Sequence, residues 1–333
     1  MKHTVVVPGV FPLEGGGTLR DIEVEARTWG RFSGEATLIC HALTGSADAD
    51  EWWKGLFGTG RLFDPSDSFI VATNVLGSCY GTTGPTSAPE LGKFPRVTIR
   101  VMVHLQKLAL DQLGVTHLNL VIGGSMGGMQ ALEWAVLYPA FVTTIVPIGV
   151  GSAQSAWAIG ISEAQRSAIA TAAVPSQGLA TARMIAMCSY RSPASFESRF
   201  GRESDDDSFT AQTYLRYQGE RLVERFDADT YLTLLDAMDS HDLGRGRGPR
   251  EAILNRIKHR TLVVGISTDM LYPVAETRML AASIPNAEFA VLDSPNGHDA
   301  FLIETAKLER TVTQFLADAQ SATSASGHGS AWA

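Results

Sequence analysis

The chain has 333 residues, of which 45% are hydrophobic and 19% are charged, so it is long enough and apolar enough to bury a large core. Its net charge of −8, without any basic run, argues against nucleic acid as a partner. Three widely spaced cysteines favour a reducing compartment over a disulfide framework.

Neither a signal peptide nor a membrane span is expected. The N-terminal segment "MKHTVVVPGVFPLEGGG" has an apolar run that two prolines interrupt. The stretch 118–150 carries a single charge, Glu133, but its glycines and prolines break the run of about 20 apolar residues that a spanning helix needs. The sequence therefore predicts a cytoplasmic protein with no membrane partner.

The predicted elements alternate between strands and helices along most of the chain. "VVVPGVF" and "IEVEA" on either side of "EGGGT" predict a hairpin added to a sheet edge. Apolar strand patterns then lie at 37–40, 69–72, 118–122, 143–148, 261–264 and 289–292. Helical patterns lie at 96–113, 127–138, 273–283 and 299–318. This alternation predicts an α/β fold with a mostly parallel sheet flanked by helices.

One segment interrupts the alternation. Residues 151–255 are rich in Ala, Ser, Arg and Gln and have helical periodicity, which predicts a helical lid insertion over the sheet. The predicted organisation is thus a core of 1–150 and 256–318, the lid, and a low-complexity tail of 319–333 that is expected to be unpacked.

The motif with the clearest chemistry is "VIGGSMGGMQALEWA", in which G-x-S-x-G follows a predicted strand and opens a helix. Ser125 is the predicted nucleophile, held in a turn so sharp that glycine is required on both sides. The helix N-terminus behind it favours developing negative charge. A merely glycine-rich turn is the alternative, and the strand–turn–helix context weighs against it.

The order of two further residues predicts a catalytic triad. His298 follows the last predicted strand by a short turn and is the predicted base, whereas His41 follows an early strand and is expected to shape its loop. Asp269, just past strand 261–264, is the predicted orienting acid. Asp293 competes for this role but lies on the end of the strand that leads to the histidine. The order Ser125, Asp269, His298 is that of α/β hydrolases.

The remaining requirement is an oxyanion hole. The backbone N–H of Met126 is one predicted donor, and that of Leu43 in "ICHALTG" is the other. No metal site is expected, since the sequence has no H-E-x-x-H, cysteine pair or carboxylate cluster. Asp299 is left with two roles, capping of the last helix or binding of a substrate ammonium, and the residues alone leave both open.

The motifs "CHALTG", "NVLGSCYGTTGP", "GGSMGGMQALEWA", "QGERLVERFDADTYL", "DMLYP" and "SPNGHDAFLIE" together resemble the α/β-hydrolase-fold homoserine O-acetyltransferases, over roughly residues 5–315. The resemblance implies transfer of an acetyl group from acetyl-CoA to L-homoserine through an acyl-Ser125, a ping-pong step of methionine biosynthesis. It also implies that Asp299 contacts the substrate ammonium, that Arg183 in "GLATARM" contacts the substrate carboxylate, that no cofactor is bound and that the protein is a homodimer.

Several alternatives stay open at this stage. Serine as acceptor or succinyl-CoA as donor would give a serine O-acetyltransferase or a homoserine or serine O-succinyltransferase, because one methylene is worth only about 1–3 kcal/mol in a pocket. A plain esterase would use the same triad with water, and Arg183 with Asp299, suited to a zwitterion, weighs against it. The segment between 163–166 and 178–183 is shorter than is usual in the family, so the lid is expected to differ there.

Overall fold

The computed structural model describes residues 1–205 and 207–326. Its strands are β1 Lys2–Pro12, β2 Thr18–Trp29, β3 Glu35–Cys40, β4 Ile70–Thr73, β5 His117–Gly124, β6 Val142–Ile148, β7 Ser204–Asp205, β8 Ser208–Phe209, β9 Arg260–Ile266 and β10 Ala287–Leu292. Its helices are α1 Ala49–Trp52, α2 Ile99–Gln112, α3 Met126–Leu137, α4 Ala156–Thr171, α5 Pro175–Tyr190, α6 Pro193–Phe200, α7 Thr210–Val223, α8 Ala228–Asp239, α9 Arg250–Leu254, α10 Val274–Ala282, α11 Ala300–Ile303 and α12 Thr305–Ser326.

Within the described residues, eight strands form one sheet in the order β1-β2-β4-β3-β5-β6-β9-β10. β1 and β2 are the predicted antiparallel hairpin, and β2 joins the sheet antiparallel to β4. The remaining neighbours in this sheet, β4-β3, β3-β5, β5-β6, β6-β9 and β9-β10, pair in parallel, which requires crossover connections. The predicted α/β fold with a mostly parallel sheet is therefore confirmed.

Helices cover both faces of the sheet. In β5, Val121 belongs to the apolar cluster that includes residues of α2 and α3, whereas Leu120 and Ile122 belong to the cluster that includes residues of α12. Successive side chains of a strand point to opposite faces, so a strand buried on both sides is apolar at every position. This is why the strand patterns appear in the sequence as continuous apolar runs.

The segment between β6 and β9 is mainly helical, as predicted, and contains α4 to α9. In the segment between 163–166 and 178–183, α4 ends at Thr171 and α5 begins at Pro175. A small hairpin, β7 with β8, also lies in this segment, and its strands are too short to produce a periodicity. The exact domain boundaries remain predictions.

The C-terminal part differs in detail from the single predicted helix 299–318. A 3₁₀ turn at Gly297–Asp299 leads into α11, and α12 follows after a break at Glu304. α12 extends to Ser326, into the segment predicted as an unpacked tail, and residues 327–333 lie outside the described part of the chain. Among the described helices, none combines the length and apolar character needed to cross a membrane.

Candidate active site

The strained turn that the G-x-S-x-G motif predicts is present between β5 and α3. Ser125 has φ 57° and ψ −123°, a conformation that costs a non-glycine residue about 1–3 kcal/mol. A Cβ on Gly127 would lie 2.1 Å from the carbonyl oxygen of Cys40, and one on Gly123 would lie 2.6 Å from the same atom. The turn therefore packs against the end of β3 so closely that both positions require glycine.

Asp269 and His298 form a buried hydrogen-bonded pair. Nδ1 of His298 lies 2.6 Å from Oδ2 of Asp269. The other carboxylate oxygen, Oδ1, accepts the backbone N–H groups of Leu271 at 2.8 Å and Tyr272 at 2.9 Å. The competing acid, Asp293, instead accepts a hydrogen bond from the hydroxyl of Ser267. The carboxylate thus fixes the imidazole so that Nδ1 donates and Nε2 is left as the basic nitrogen.

The surroundings of His298 suit a general base. Burial alone would lower the pKa of His298, but the charge and hydrogen bond of Asp269, together with the charge of Asp299, outweigh it and raise the pKa above its ordinary value. Nε2 of His298 is buried and has no hydrogen-bond partner among the described residues. The ring therefore offers one unpaired nitrogen at the carboxyl edge of the sheet.

Gly149 lies between Ser125 and the Asp269–His298 pair. The N–H of Ser125 donates to the carbonyl of Ile148 at 2.9 Å, and Gly149 is the next residue. A Cβ on Gly149 would lie 3.3 Å from Cε1 of His298 and 3.4 Å from Oδ2 of Asp269. The residues after β5, β6 and β9 thus meet at one place. Sequence reasoning did not single out Gly149, because glycines commonly follow strands simply to allow a turn.

Three aromatic rings surround the imidazole of His298. Their centroids lie 5.7 Å (Tyr190), 5.3 Å (Tyr272) and 5.6 Å (Phe301) from that of the histidine. The hydroxyl of Tyr272 donates to the side chain of Gln154 at 2.8 Å. Tyr190 comes from the lid helix α5, so the lid contributes to the wall of the site. The sequence did not identify it, because a single tyrosine on a helix carries no pattern.

Asp299 lies between His298 and two arginines. It occupies the position before α11, but its side chain makes no capping hydrogen bond. Nε of Arg191 lies 3.3 Å from its Oδ2. Burial raises the pKa of Asp299, although the charges of Arg183 and Arg191 oppose that shift. The geometry thus does not support a capping role, and Arg191 is a site residue that the sequence analysis missed.

Arg183 reaches the same place from α5. Its guanidinium stacks over the ring of Tyr190, with 5.6 Å between guanidinium carbon and ring centroid. Its Nε is buried without a hydrogen-bond partner among the described residues. A carboxylate and two guanidinium groups therefore lie next to His298, and their charges are complementary to those of a zwitterion.

The two predicted oxyanion donors belong to buried segments, with Leu43 exposed by 4% and Met126 by 0%. Met126 is the first residue of α3, so its N–H has no acceptor within the helix. In the turn Ala42–Gly45, the N–H of Gly45 donates to the carbonyl of Ala42, and the N–H of Leu43 takes no part in that bond. The two segments lie close together, since a Cβ on Gly127 would be 3.3 Å from the carbonyl oxygen of His41.

A cavity of about 680 Å³ lies between the loop 85–96 and the lid helices α4 and α8. Its walls carry Lys93, Arg96 and Arg166, and they include none of the predicted triad or substrate-binding residues. Within the described part of the chain, no group of three His, Cys, Asp or Glu side chains could hold a metal ion.

The sheet, the strained serine and the Asp–His pair define a protein of the α/β-hydrolase class. A family described as alpha/beta hydrolase fold matches residues 36–305, and the chain belongs to it. The acetylester hydrolase from Corynebacterium glutamicum has a similar structure, with a TM-score of 0.84, 25% identity and 95% of each chain covered.

Sequence identity then shows which family of this class the chain belongs to. The homoserine O-acetyltransferase of Trichormus variabilis is 51% identical over 93% of this chain and 92% of its own. That of Chlorobaculum parvum is 48% identical over 92% of both chains. The solved structure of homoserine O-acetyltransferase from Staphylococcus aureus has a TM-score of 0.83, 29% identity and 95% of each chain covered. The chain belongs to the homoserine O-acetyltransferase family, and the predicted resemblance is confirmed.

Proposed function

We propose that this protein transfers an acetyl group from acetyl-CoA to the hydroxyl of L-homoserine, a step of methionine biosynthesis. The observation that carries the proposal is the buried Asp269–His298 pair next to a strained Ser125, in a chain half identical to proteins named for this reaction. The residue roles below follow from that geometry and from the chemistry of acyl transfer.

In the first half-reaction, Ser125 attacks the thioester carbonyl of acetyl-CoA. Its hydroxyl proton passes to Nε2 of His298, and the backbone N–H groups of Leu43 and Met126 stabilise the negative charge on the thioester oxygen. The C–S bond then breaks, the proton on His298 passes to the departing thiolate, and CoA leaves as the free thiol. Asp269 keeps the imidazole in the tautomer that accepts on Nε2.

In the second half-reaction, the hydroxyl of homoserine gives its proton to His298 and attacks the acetyl-serine. Collapse of the intermediate breaks the bond to Ser125, which regains its proton, and O-acetylhomoserine is released. Asp299 binds the ammonium of the amino acid and Arg183 binds its carboxylate, which orients the reacting hydroxyl. The charges that surround Asp299 in the structure support these assignments.

Neither a metal nor a bound cofactor is required, and acetyl-CoA acts as a co-substrate. The family assignment favours acetyl over succinyl and homoserine over serine. We also retain a cytoplasmic location, which the free cysteines Cys40, Cys79 and Cys188 support, and a homodimer built on the lid. The small-molecule substrates are the only partners that the proposed reaction needs.

The test is release of CoA thiol by the purified protein. We expect thiol from acetyl-CoA only when L-homoserine is present, with L-serine and succinyl-CoA as poor substitutes. Equal release without an amino acid would instead establish a hydrolase, which matters because an acetylester hydrolase shares the fold. Preference for succinyl-CoA would contradict the proposed donor.

Two variants tie the activity to the site. Ser125→Ala should abolish transfer, because the exchange removes the nucleophile. Its thermal unfolding should stay cooperative, because only the hydroxyl is removed and the packing around it is kept. Asp293→Asn is the matched control, since Asp293 lies on the same loop as His298 but pairs with Ser267. If Ser125→Ala retained transfer, the acyl-enzyme mechanism would be wrong.

A further inference from the structure

A chain of buried polar side chains lies beneath the proposed oxyanion hole. Gln130 on α3 is fully buried, and its Nε2 lies 3.1 Å from the carbonyl oxygen of His41 and 3.1 Å from that of Met126. Its Oε1 accepts a hydrogen bond from Nε2 of Gln106 at 2.8 Å. Oε1 of Gln106 in turn accepts the indole N–H of Trp134 at 2.9 Å. One amide thus connects the two chain segments that carry the proposed donors.

The direction of every hydrogen bond in this series of side chains is fixed by the groups at its two ends. The indole N–H of Trp134 can only donate, so the oxygen of Gln106 faces it and the nitrogen of Gln106 faces Gln130. The carbonyls of His41 and Met126 can only accept, so the nitrogen of Gln130 faces them. Each N–H of the Gln130 amide therefore has one carbonyl. A flipped amide would place an oxygen against two carbonyl oxygens in a site without solvent.

The ring of His41 fixes the peptide that carries the Leu43 donor. The backbone N–H of Val75 donates to Nε2 of His41 at 3.1 Å, so the ring proton of the neutral histidine lies on Nδ1. Nδ1 lies 2.8 Å from the carbonyl oxygen of Ala42 and donates to it. That oxygen also accepts the N–H of Gly45 at 2.9 Å. Both lone pairs of the Ala42 carbonyl are thus engaged.

The consequence follows from the planarity of the peptide bond. The carbonyl of Ala42 and the N–H of Leu43 belong to one rigid unit and point in opposite directions. Holding the carbonyl therefore aims the N–H. Burial lowers the pKa of His41 to about 4, against the weaker effect of its bond to Ala42, so the ring stays neutral and the tautomer persists at neutral pH.

We infer that His41 and Gln130 are positioning residues of the oxyanion hole: His41 aims the N–H of Leu43, and Gln130 fixes the distance between the Leu43 and Met126 segments. Neither side chain touches substrate in this arrangement. The inference rests on the proposed function for the identity of the donors. It predicts effects on the transition state and none on substrate affinity, because the negative charge on oxygen exists only after attack.

Two substitutions at His41 separate positioning from stability. Asn places an amide nitrogen near the position of Nδ1 and can keep the bond to Ala42, whereas Gln places its polar group near Nε2 and can keep only the bond from Val75. Each variant loses one of the two ring hydrogen bonds. We expect the kcat of His41→Gln to lie at least about tenfold below that of His41→Asn, because displacement of a catalytic donor by about 1 Å can cost about 100-fold. Equal kcat values, or the reverse order, would overturn the role of His41.

Gln130→Met tests the connection between the two segments. We expect kcat to fall by about tenfold or more, while the KM values for acetyl-CoA and homoserine change by less than about twofold. Thr261→Val is the control, since it also replaces a fully buried polar side chain by an apolar one, at the amino ends of the strands. It removes one hydrogen bond, from Thr261 to the carbonyl of His259, whereas Gln130→Met removes three, so activity is compared after allowance for the measured loss of stability. If both variants lost activity only in proportion to their lost stability, Gln130 would have a structural role alone.

A second readout keeps this test independent of the proposed substrates. Phosphonylation of Ser125 by an alkyl fluorophosphonate forms an Oγ–P bond and breaks the P–F bond, so that fluoride leaves and the serine proton passes to His298. The phosphoryl oxygen, which carries partial negative charge that increases in the transition state, then occupies the same hole. We expect its rate constant to fall in His41→Gln and Gln130→Met and to stay unchanged in Thr261→Val. Should acetyl transfer to homoserine be absent in the wild type while these rates still differ, the proposed function fails and the positioning inference stands. Unchanged phosphonylation in both variants would overturn the inference whatever the substrate.

Discussion

Two equally buried histidines have opposite protonation behaviour in this protein. His41 is exposed by 1% and His298 by 3%, yet burial lowers the pKa of His41 to about 4 while the pKa of His298 is raised. The difference lies in their partners, because His41 contacts backbone groups and His298 contacts the carboxylate of Asp269. Burial alone thus does not decide protonation, and only His298 is suited to carry a proton between reaction steps.

The first prediction concerns the pH dependence of Asp269→Asn. In the proposed mechanism His298 must be neutral, so activity is lost as pH falls through the pKa of His298, which is raised above its ordinary value in the wild type. The exchange removes the charge and hydrogen bond that raise this pKa and leaves burial, which lowers it. We expect the acid limb of the kcat/KM profile to move to lower pH, while maximal kcat falls by about 10³–10⁴-fold because the tautomer is lost.

The profile is measured with acetyl-CoA and homoserine from about pH 5 to 9, where both substrates are stable enough for initial rates. Asp293→Asn provides the control and should leave the limb in place. An acid limb that stays fixed in Asp269→Asn would mean that another group controls the profile.

The second prediction concerns Asp299→Asn. The exchange keeps shape but removes the charge that the substrate ammonium would meet, a loss of about 1.5–3 kcal/mol. We expect the KM for homoserine to rise by about 10- to 150-fold, since 1.4 kcal/mol corresponds to tenfold. The KM for acetyl-CoA should change little, and steady-state kinetics with each substrate varied in turn will separate the two. An unchanged KM for homoserine would contradict the role of Asp299 in ammonium binding.

At the scale of elements, much of the site was predictable because it follows from local rules. The elbow at Ser125 needs a strand, glycines and a helix in sequence, and the chain displays all three. Asp269 and His298 follow strands whose carboxyl ends must meet at one edge of a parallel sheet. Tyr190 and Arg191 were not predictable, because they reach the site through the packing of α5, which depends on contacts distant in sequence.

The same distinction applies to the helices. The pattern 299–318 predicted one helix, whereas the chain breaks at Glu304 between α11 and α12. The ring of Phe301 on α11 packs against Gly124, and a Cβ on that glycine would lie 2.5 Å from the ring. Tertiary packing against the elbow, and not periodicity, therefore accounts for where this helical segment lies.

The third prediction compares two glycines in helices. A Cβ added to Gly127 in α3 would lie 2.1 Å from the carbonyl oxygen of Cys40. A Cβ added to Gly160 in α4 would have no atom within 4 Å. Helix propensity alone favours alanine by about 0.5–1 kcal/mol. We expect Gly160→Ala to stabilise the protein by about that amount and Gly127→Ala to destabilise it by about 1–3 kcal/mol.

Urea unfolding monitored by circular dichroism measures both changes. The two variants insert the same methyl group into the same type of secondary structure, so an opposite sign isolates the packing of α3 against the end of β3. Stabilisation by Gly127→Ala would mean that the elbow can move away from Cys40, and the packing argument for this glycine would fail.

At the scale of the whole molecule, a buried group of charges joins parts that are distant in sequence. Glu133 on α3 has a side chain that is 2% exposed and contacts Nε of Arg100 on α2 at 3.1 Å and Nη2 of Arg247 at 2.7 Å. Arg100 also contacts Glu14, from the turn between β1 and β2, at 2.7 Å. Arg247 lies in the chain that returns from the lid to β9. One carboxylate thus connects the core to the returning lid segment, and through Arg100 to the edge hairpin.

The last prediction is that Glu133→Gln lowers the free energy of unfolding by about 3–5 kcal/mol. The exchange keeps the volume, but it removes the countercharge of Arg247 and leaves Arg100 with Glu14 alone. The control is Asp111→Asn, which breaks the surface pair with Lys107 four residues away and should cost only about 0.3–0.5 kcal/mol. Urea unfolding at neutral pH measures both. Because the carboxylate joins α2 and α3 to Arg247 in the last part of the lid insertion, its loss should also make the segment 243–249 a preferred site of limited proteolysis. Equal costs for the two variants would mean that water reaches Glu133, and the lid segment would then be held by its apolar contacts instead.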